Sequence, residues 1–274
     1  MEQFLSQPVS KFRQPLLPPN NISSFIYTNA ILRSSEGLPT PLLHFWTLEE
    51  TVILGLKDQR LPHLATALDL LRHRHHHYFI RNSGGLAVVS DNGILNCSLF
   101  FPWHLEKQQL TIDEAYQRMV TVIQAAFPEL AIETGEVTHS YCPGSFDVQV
   151  NGQKIGGISQ RRNMAGVVVM LYLSINGNQL SRGELIRDFY TAGLQSTPNK
   201  WHFPDVWPAA MTNISDLLGR PITIAEAQDR LRGVFSLTDN QAFKQLTWQP
   251  QFIKYLNDER LAISKLQERL PKEV

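Results

Sequence analysis

The stretch from Phe146 to Leu173 leaves this chain little choice of architecture. FDVQV alternates apolar and polar residues strictly, Asn151-Gly152 supplies the pair preferred by a two-residue hairpin turn, and KIGGISQ leads into GVVVMLYL, a further strand. The middle of the chain is therefore mostly sheet. LLHFWTL and TVILGL, residues 42 to 48 and 51 to 56, read as neighbouring strands. YFIR, GLAVV and GILNCSLFF, separated by the turn sequences NSGG and SDNG, read as a tight antiparallel set.

Helical spacing surrounds this sheet. LPHLATALDLLRHRH carries apolar residues at helical intervals, and Thr111 with Glu114 forms a capping box for TIDEAYQRMVTVIQAAF, which Pro128 closes. SRGELIRDFYTAGL, TIAEAQDRLRGVF with its own Thr223/Glu226 box, and FIKYLNDERLAISKLQERL make the last third helical. Clustered strands with helices before and after indicate an α+β fold, a central mixed or antiparallel sheet flanked by helices, and not alternating βαβ units. The proline-rich start reads as an extended peripheral arm. The expected division is an N-terminal arm over 1–39, a catalytic domain over 40–250 and a C-terminal helical extension over 251–274.

The bulk numbers narrow the function classes. Basic and acidic residues balance at 25 each in 274 residues, so nothing points to nucleic acid. No stretch is apolar for the length of a membrane span and none resembles a leader, so a cytoplasmic chain with no membrane partner is expected. Two cysteines, Cys97 and Cys142, are too few for a disulfide framework and lie in no zinc-like spacing.

The two cysteines call for opposite readings. Cys97, inside the alternating strand ILNCSLF, reads as a small core residue. Cys142 sits in the loop SYCPGSFD just before a strand, where a thiol can be exposed and attack an acyl carbon, against the plainer reading of an inert loop cysteine. Its activating partner would be Lys154, across the hairpin, ahead of His139. RNSGG, residues 81 to 85, is either an ordinary glycine turn or a loop whose backbone approaches a ligand closely; it is neither GxGxxG nor a phosphate loop. Adjacent histidines in the run from His73 to His77 diverge around a helix by about 100 degrees, so they do not make a metal site. Arg161-Arg162 has three open readings, as phosphate contact, partner contact or solvated strand edge, with the edge as default.

Together RNSGGLAVVSDNGILNCSLF and CPGSFDVQVNGQKIGGISQRRNMAGVVVMLYL resemble the biotin/lipoate ligase and lipoyl/octanoyl transferase superfamily over roughly residues 40 to 250. Cys-Pro-Gly-Ser-aromatic-Asp is most similar to its octanoyl-[GcvH]:protein N-octanoyltransferase branch. That resemblance implies a biotin/lipoate ligase-like catalytic domain and a two-step transfer of an octanoyl or lipoyl group, without cofactor, nucleotide or metal. The donor would be the glycine-cleavage H protein and the acceptors the E2 lipoyl domains of 2-oxoacid dehydrogenases. It also implies roles: Cys142 as acyl-thioester nucleophile, Lys154 as the residue that lowers its pKa and contacts the acyl carbonyl, Arg81, Ser83, Gly84 and Gly85 as the loop over the acyl chain, and Gly157 and Ser159 as the opposite wall. Asp91 and Asn96 would give structural support. Two departures stand out. RHRHHHYFI lacks the glycine expected at its turn, and Ser145-Phe146-Asp147 replaces the asparagine-aspartate pair usual in the ligases, which weighs against an ATP-dependent ligase. The remaining alternative is a non-catalytic protein that binds lipoyl domains.

Overall fold

A computed structural model describes residues 2–18 and 21–271. Its strands are β1 (Pro8–Leu17), β2 (Leu42–Leu48), β3 (Thr51–Leu54), β4 (His77–Ile80), β5 (Val88–Ser90), β6 (Ile94–Pro102), β7 (Glu133–Thr134), β8 (Asp147–Val150), β9 (Gln153–Arg162), β10 (Gly166–Ser174) and β11 (Ser236–Leu237). Its helices are α1 (Ser23–Arg33), α2 (Leu64–His73), α3 (Ile112–Ala126), α4 (Gln179–Leu194), α5 (Ile214–Leu218), α6 (Ile224–Gly233), α7 (Gln241–Thr247) and α8 (Pro250–Gln267). Eight strands form one mixed sheet in the order β11-β1-β2-β6-β10-β9-β8-β7, and β4-β3-β5 form a small second sheet.

The expected α+β class is what the chain adopts, and the hairpin at Asn151-Gly152 joins β8 to β9 with both turn residues at positive φ, 51° and 79°. The capping box of α3 is complete: Glu114 N–H donates to Thr111 Oγ1 at 3.2 Å and Thr111 N–H to Glu114 Oε2 at 2.7 Å.

Strand pairing departs from the sequence reading in three places. β2 and β3 are not neighbours but belong to different sheets. The segment β4 to β6 is no antiparallel set either, since β4 runs parallel to β3, β5 pairs antiparallel with β3, and β6 lies between β2 and β10 in the large sheet. Thirdly, the start of the chain is not a peripheral arm. It supplies β1, parallel to β11 on one side and β2 on the other, with a register shift between Arg13 and Leu16. Pro8 is the first strand residue, where a missing N–H matters least. The glycine missing from RHRHHHYFI is replaced by His75, which takes φ 59° between α2 and β4.

Alternation along the central strands sorts side chains to two faces. Leu43, Phe45, Leu95, Cys97, Leu99, Phe101, Val167, Val169 and Leu171 face the main core under α3 and α6, where burial pushes the Cys97 thiol well above its ordinary pKa. The opposite face carries two cross-strand rows: Trp46, Asn96, Tyr172, Gly157 and Asp147, and beside it His44, Ser98, Met170 and Ser159. Residues of α1, α7 and α8 bury the end of this face around Leu42, Phe100 and Val168, so both ends of the chain complete one layer. The small sheet, with α2 and α4, covers the rest.

His44 is fully buried, hydrogen-bonded to Gln14 Oε1 at 2.8 Å, and burial lowers its pKa to about 3. Between about 3 and the ordinary value of 6.5 the unfolded chain takes up a proton there that the folded chain does not. Stability is therefore fully present above 6.5 and falls on acidification toward 3, by on the order of 1 kcal/mol per pH unit. Urea unfolding at pH 7 and pH 4.5 should show a smaller acid loss in His44→Asn than in the parent; equal losses would contradict the assignment.

Candidate active site

Between the large sheet and the small one lies a cavity of about 390 Å³. The sheet rows form its floor, Phe25 and Thr28 of α1 with Ile53 and Val88 form its apolar far walls, and two loops, 81–85 and 141–144, form its rim. All eight residues picked from the sequence, Arg81, Ser83, Gly84, Gly85, Cys142, Lys154, Gly157 and Ser159, line it.

The thiol is placed by two devices. The first is backbone strain: Cys142 has φ 48°, a left-handed conformation costing a non-glycine residue about 1–3 kcal/mol. Lys154 holds it there. Its buried ammonium donates to Ser140 Oγ at 3.2 Å, Tyr141 O at 2.9 Å and Cys142 O at 2.8 Å, binding three successive loop residues. It also pairs with Asp147 Oδ1 at 2.8 Å. Asp147 Oδ2 accepts from the N–H groups of Val137 and Gly144, both at 3.2 Å, closing the loop at its other end. Burial raises the Asp147 carboxyl above its ordinary pKa, against the opposing pull of Lys154.

The second device is the 81–85 loop. Leu86 N–H donates to Cys142 Sγ at 3.2 Å, and Arg81 Nη2 lies 3.9 Å from the same sulfur. The Arg81 guanidinium is fixed by carbonyl oxygens, Gly84 at 3.1 Å, Leu86 at 2.9 Å and Ile53 at 3.3 Å. Behind it a buried chain runs from Ala87 N–H to Tyr190 Oη at 3.0 Å, from Tyr190 O–H to Asp58 Oδ1 at 2.8 Å, and from Gly55 N–H to Asp58 Oδ2 at 2.7 Å. Burial raises the Asp58 carboxyl to about 6 although both hydrogen bonds pull it down. A Cβ on Gly55 would collide with the Gly85 carbonyl, so this glycine lets the strand end seat the loop.

Gly156 and Gly157 are paired on both sides, with β8 and β10, inside the large sheet. The ammonium of Lys154 makes no hydrogen bond to Sγ among the described residues; it reaches the carbonyl of Cys142 instead. His139 is directed away, stacked on Trp207 at 3.6 Å with Nδ1 against Asp205 O. Asp91 pairs with Arg182 at 2.6 Å, a supporting contact, and Asn96 lies in the cavity floor with its amide donating to Ser90 Oγ. Arg161 donates to the side-chain oxygens of Asn29 and Asn82, joining β9 to α1 and the 81–85 loop. The histidines from His73 to His77 lie at the α2–β4 corner, outside the cavity wall.

Sequence reasoning missed Phe25, Thr28 and Trp46, which the fold brings in from segments assigned to an arm and a neighbouring strand. Tyr141 and Tyr172, whose hydroxyls meet at 2.7 Å, were also missed. Asp147 had a signal, since it ends the cysteine motif.

A largely apolar slot with a thiol in its wall has the chemistry to take an acyl chain. The chain belongs to the lipoyl protein ligase A/B catalytic domain family, whose model matches residues 23–236. It is 41% identical over 209 residues to octanoyl-[GcvH]:protein N-octanoyltransferase of Anoxybacillus flavithermus, covering 76% of this chain and 75% of that protein. It is 40% identical over 206 residues to lipoyl-[GcvH]:protein N-lipoyltransferase of Listeria monocytogenes, covering 74% and 73%. A bi-partite lipoate protein ligase from Thermoplasma acidophilum shares the fold, with a TM-score of 0.64 at 16% identity over 98% of both chains. With relatives so named at this identity and coverage, the chain is an acyltransferase.

Proposed function

We propose that this protein moves an octanoyl or lipoyl group from the glycine-cleavage H protein to the target lysine of E2 lipoyl domains through a thioester on Cys142. The observation that carries the reading is Sγ of Cys142 in the wall of the apolar cavity, fixed by the Leu86 N–H. In the first step the sulfur attacks the carbonyl of the donor's acyl-lysine amide; the C–S bond forms, the C–N bond breaks, and the thiol proton ends on the departing lysine nitrogen. In the second step an acceptor lysine attacks the thioester, the C–N bond forms again, the C–S bond breaks, and the proton lost by the lysine nitrogen returns to sulfur. One amide replaces another, so no nucleotide is consumed.

The acyl chain would lie over Met170 toward Phe25 and Trp46, each buried methylene contributing about 0.8 kcal/mol. Arg81, Ser83, Gly84 and Gly85 would cover it, with Gly157 and Ser159 opposite. Lys154 would hold the strained Cys142, its charge matched by Asp147. No helix among the described residues is long and apolar enough to cross a membrane.

Intact-protein mass spectrometry after mixing with octanoylated H protein tests the reading: one octanoyl adduct on Cys142 is expected, discharged by an E2 lipoyl domain. A second expectation concerns energy supply. Transfer should proceed at full rate without ATP, whereas lipoylation from free lipoate, ATP and magnesium, with pyrophosphate released, would make the protein a ligase.

A further inference from the structure

We propose that Asp58, a buried carboxylate with no contact to the sulfur, is a positioning residue that aims the Leu86 N–H at Cys142 Sγ, acting through Gly55 on one side and Tyr190 on the other. The proposal deepens the thioester reading above and rests on it for its consequence in transfer.

Three observations carry it. The first is the placing of two consecutive peptide units. In the Gly85–Leu86 unit the N–H donates to Sγ at 3.2 Å, and the carbonyl on its other edge packs so closely on Gly55 that a Cβ there would stand 2.0 Å from the oxygen. Because a trans peptide is planar, fixing the carbonyl edge fixes the direction of the N–H. In the Leu86–Ala87 unit the N–H donates to Tyr190 Oη at 3.0 Å. The second observation is that both supports end on one side chain. Asp58 Oδ2 accepts from Gly55 N–H at 2.7 Å and Oδ1 from Tyr190 O–H at 2.8 Å. Burial holds the Tyr190 phenol well above its ordinary pKa, so it stays a donor to Asp58 while accepting from Ala87. The third is rigidity. The Tyr190 ring stacks on Phe203 with centroids 5.5 Å apart and meets Phe189 edge-on at 5.2 Å, and Asp58 itself is fully buried.

Asp58 can serve both sides only as the carboxylate. Gly55 N–H and Tyr190 O–H each need an acceptor, and a protonated carboxyl donates from one of its oxygens, which sets that oxygen's proton against a donor. The charged groups that act on Asp58 are Arg81 and Lys57, both cations, and the titratable group in contact with it is the Tyr190 phenol. Burial outweighs all three and puts the carboxyl at about 6. The support of the loop is therefore complete above about 6 and is lost as pH falls through that value.

The test is the pH profile of iodoacetamide alkylation of Cys142, in a Cys97→Ala background so that one thiol reports. Asp58→Asn presents one acceptor and one donor at every pH, as the protonated carboxyl does. It should move the profile toward alkaline pH by about one unit, because the sulfur anion loses a hydrogen bond. On the rising limb at pH 7 alkylation is then about tenfold slower than in the parent. The gap should close to about twofold at pH 5, where only about a tenth of the parent's Asp58 is ionised. Other titrations are common to both proteins and divide out of the ratio. Tyr190→Phe, which cuts the link to Ala87 alone, should shift the profile in the same direction, and it carries the test if circular dichroism shows Asp58→Asn unfolded. The proposal is overturned if Asp58→Asn leaves the profile in place or moves it toward acid pH, as removal of a negative charge near the sulfur does by itself. An equal gap at pH 5 and pH 7, or a Tyr190→Phe profile superimposed on the parent's, overturns it too. The octanoyl adduct of the parent is measured alongside. Alkaline shifts without an adduct leave the positioning role standing and remove the transfer reading, and an adduct without the shifts does the reverse.

Discussion

Cys142→Ser is expected to bring octanoyl transfer down to background while the protein keeps its fold. Among the described residues, the hydrogen-bond partners of Sγ are the Leu86 N–H and Arg81, both donors, which favour an anion already formed and cannot remove a proton from an alcohol. A thiol ionises near neutral pH and an alcohol does not, so the same surroundings that serve sulfur leave oxygen inert. Loss on the order of 10³-fold or more is expected, in line with removal of a covalent nucleophile. Cys97→Ser is the contrast. It places a hydroxyl among Leu95, Leu99 and Phe45 with no role in the cavity chemistry, costing about 1–3 kcal/mol of stability and little activity. The two variants are compared by octanoyl transfer to an E2 lipoyl domain and by thermal unfolding. The thioester mechanism is falsified if Cys142→Ser still turns over at a comparable rate.

The second large effect is expected at Gly85. Alanine there would adopt φ 91° only under strain, and its methyl group would press on Arg81 Nη2 and Cys142 Sγ together. Relief requires the guanidinium or the thiol to move, and a displacement near 1 Å at a reacting atom can cost about 10²-fold in rate. Gly84→Ala should lose far less, because a Cβ at Gly84 meets nothing within 4 Å. The neighbouring substitutions thus separate a loop that merely needs flexibility from one whose bare backbone makes room for the site. Transfer rates and circular dichroism of both variants decide it: equal losses would mean that the contact at Gly85 is not what matters.

The sequence by itself determined the parts whose causes are local. Alternation in FDVQV and the Asn151-Gly152 turn specified β8 and β9, and Thr111 with Glu114 specified where α3 begins, because hydrogen bonds within a few residues set these features. The eight residues singled out by the family resemblance all line the cavity because each lies in a short motif whose loop or strand carries it there. The positive φ of Cys142 had no such sign, since the groups that hold the residue, Lys154 and the Leu86 N–H, come from other segments.

Partner choice belonged to the tertiary structure. A strand's pattern says which face is apolar but not which edge it joins, so β1, β2 and β3 were placed only once the two sheets stood against each other. The far end of the cavity depends on that packing, because Phe25 and Thr28 arrive on α1 and Trp46 on β2, segments separated in sequence from every site motif. The electrostatics follow the same rule. Lys154 and Arg81 are both cations near one cysteine, and what distinguishes them is a buried carboxylate at 2.8 Å from the first and three carbonyl oxygens around the second. Charge at a site is a sum over neighbours brought there by folding, and that sum cannot be read along the chain.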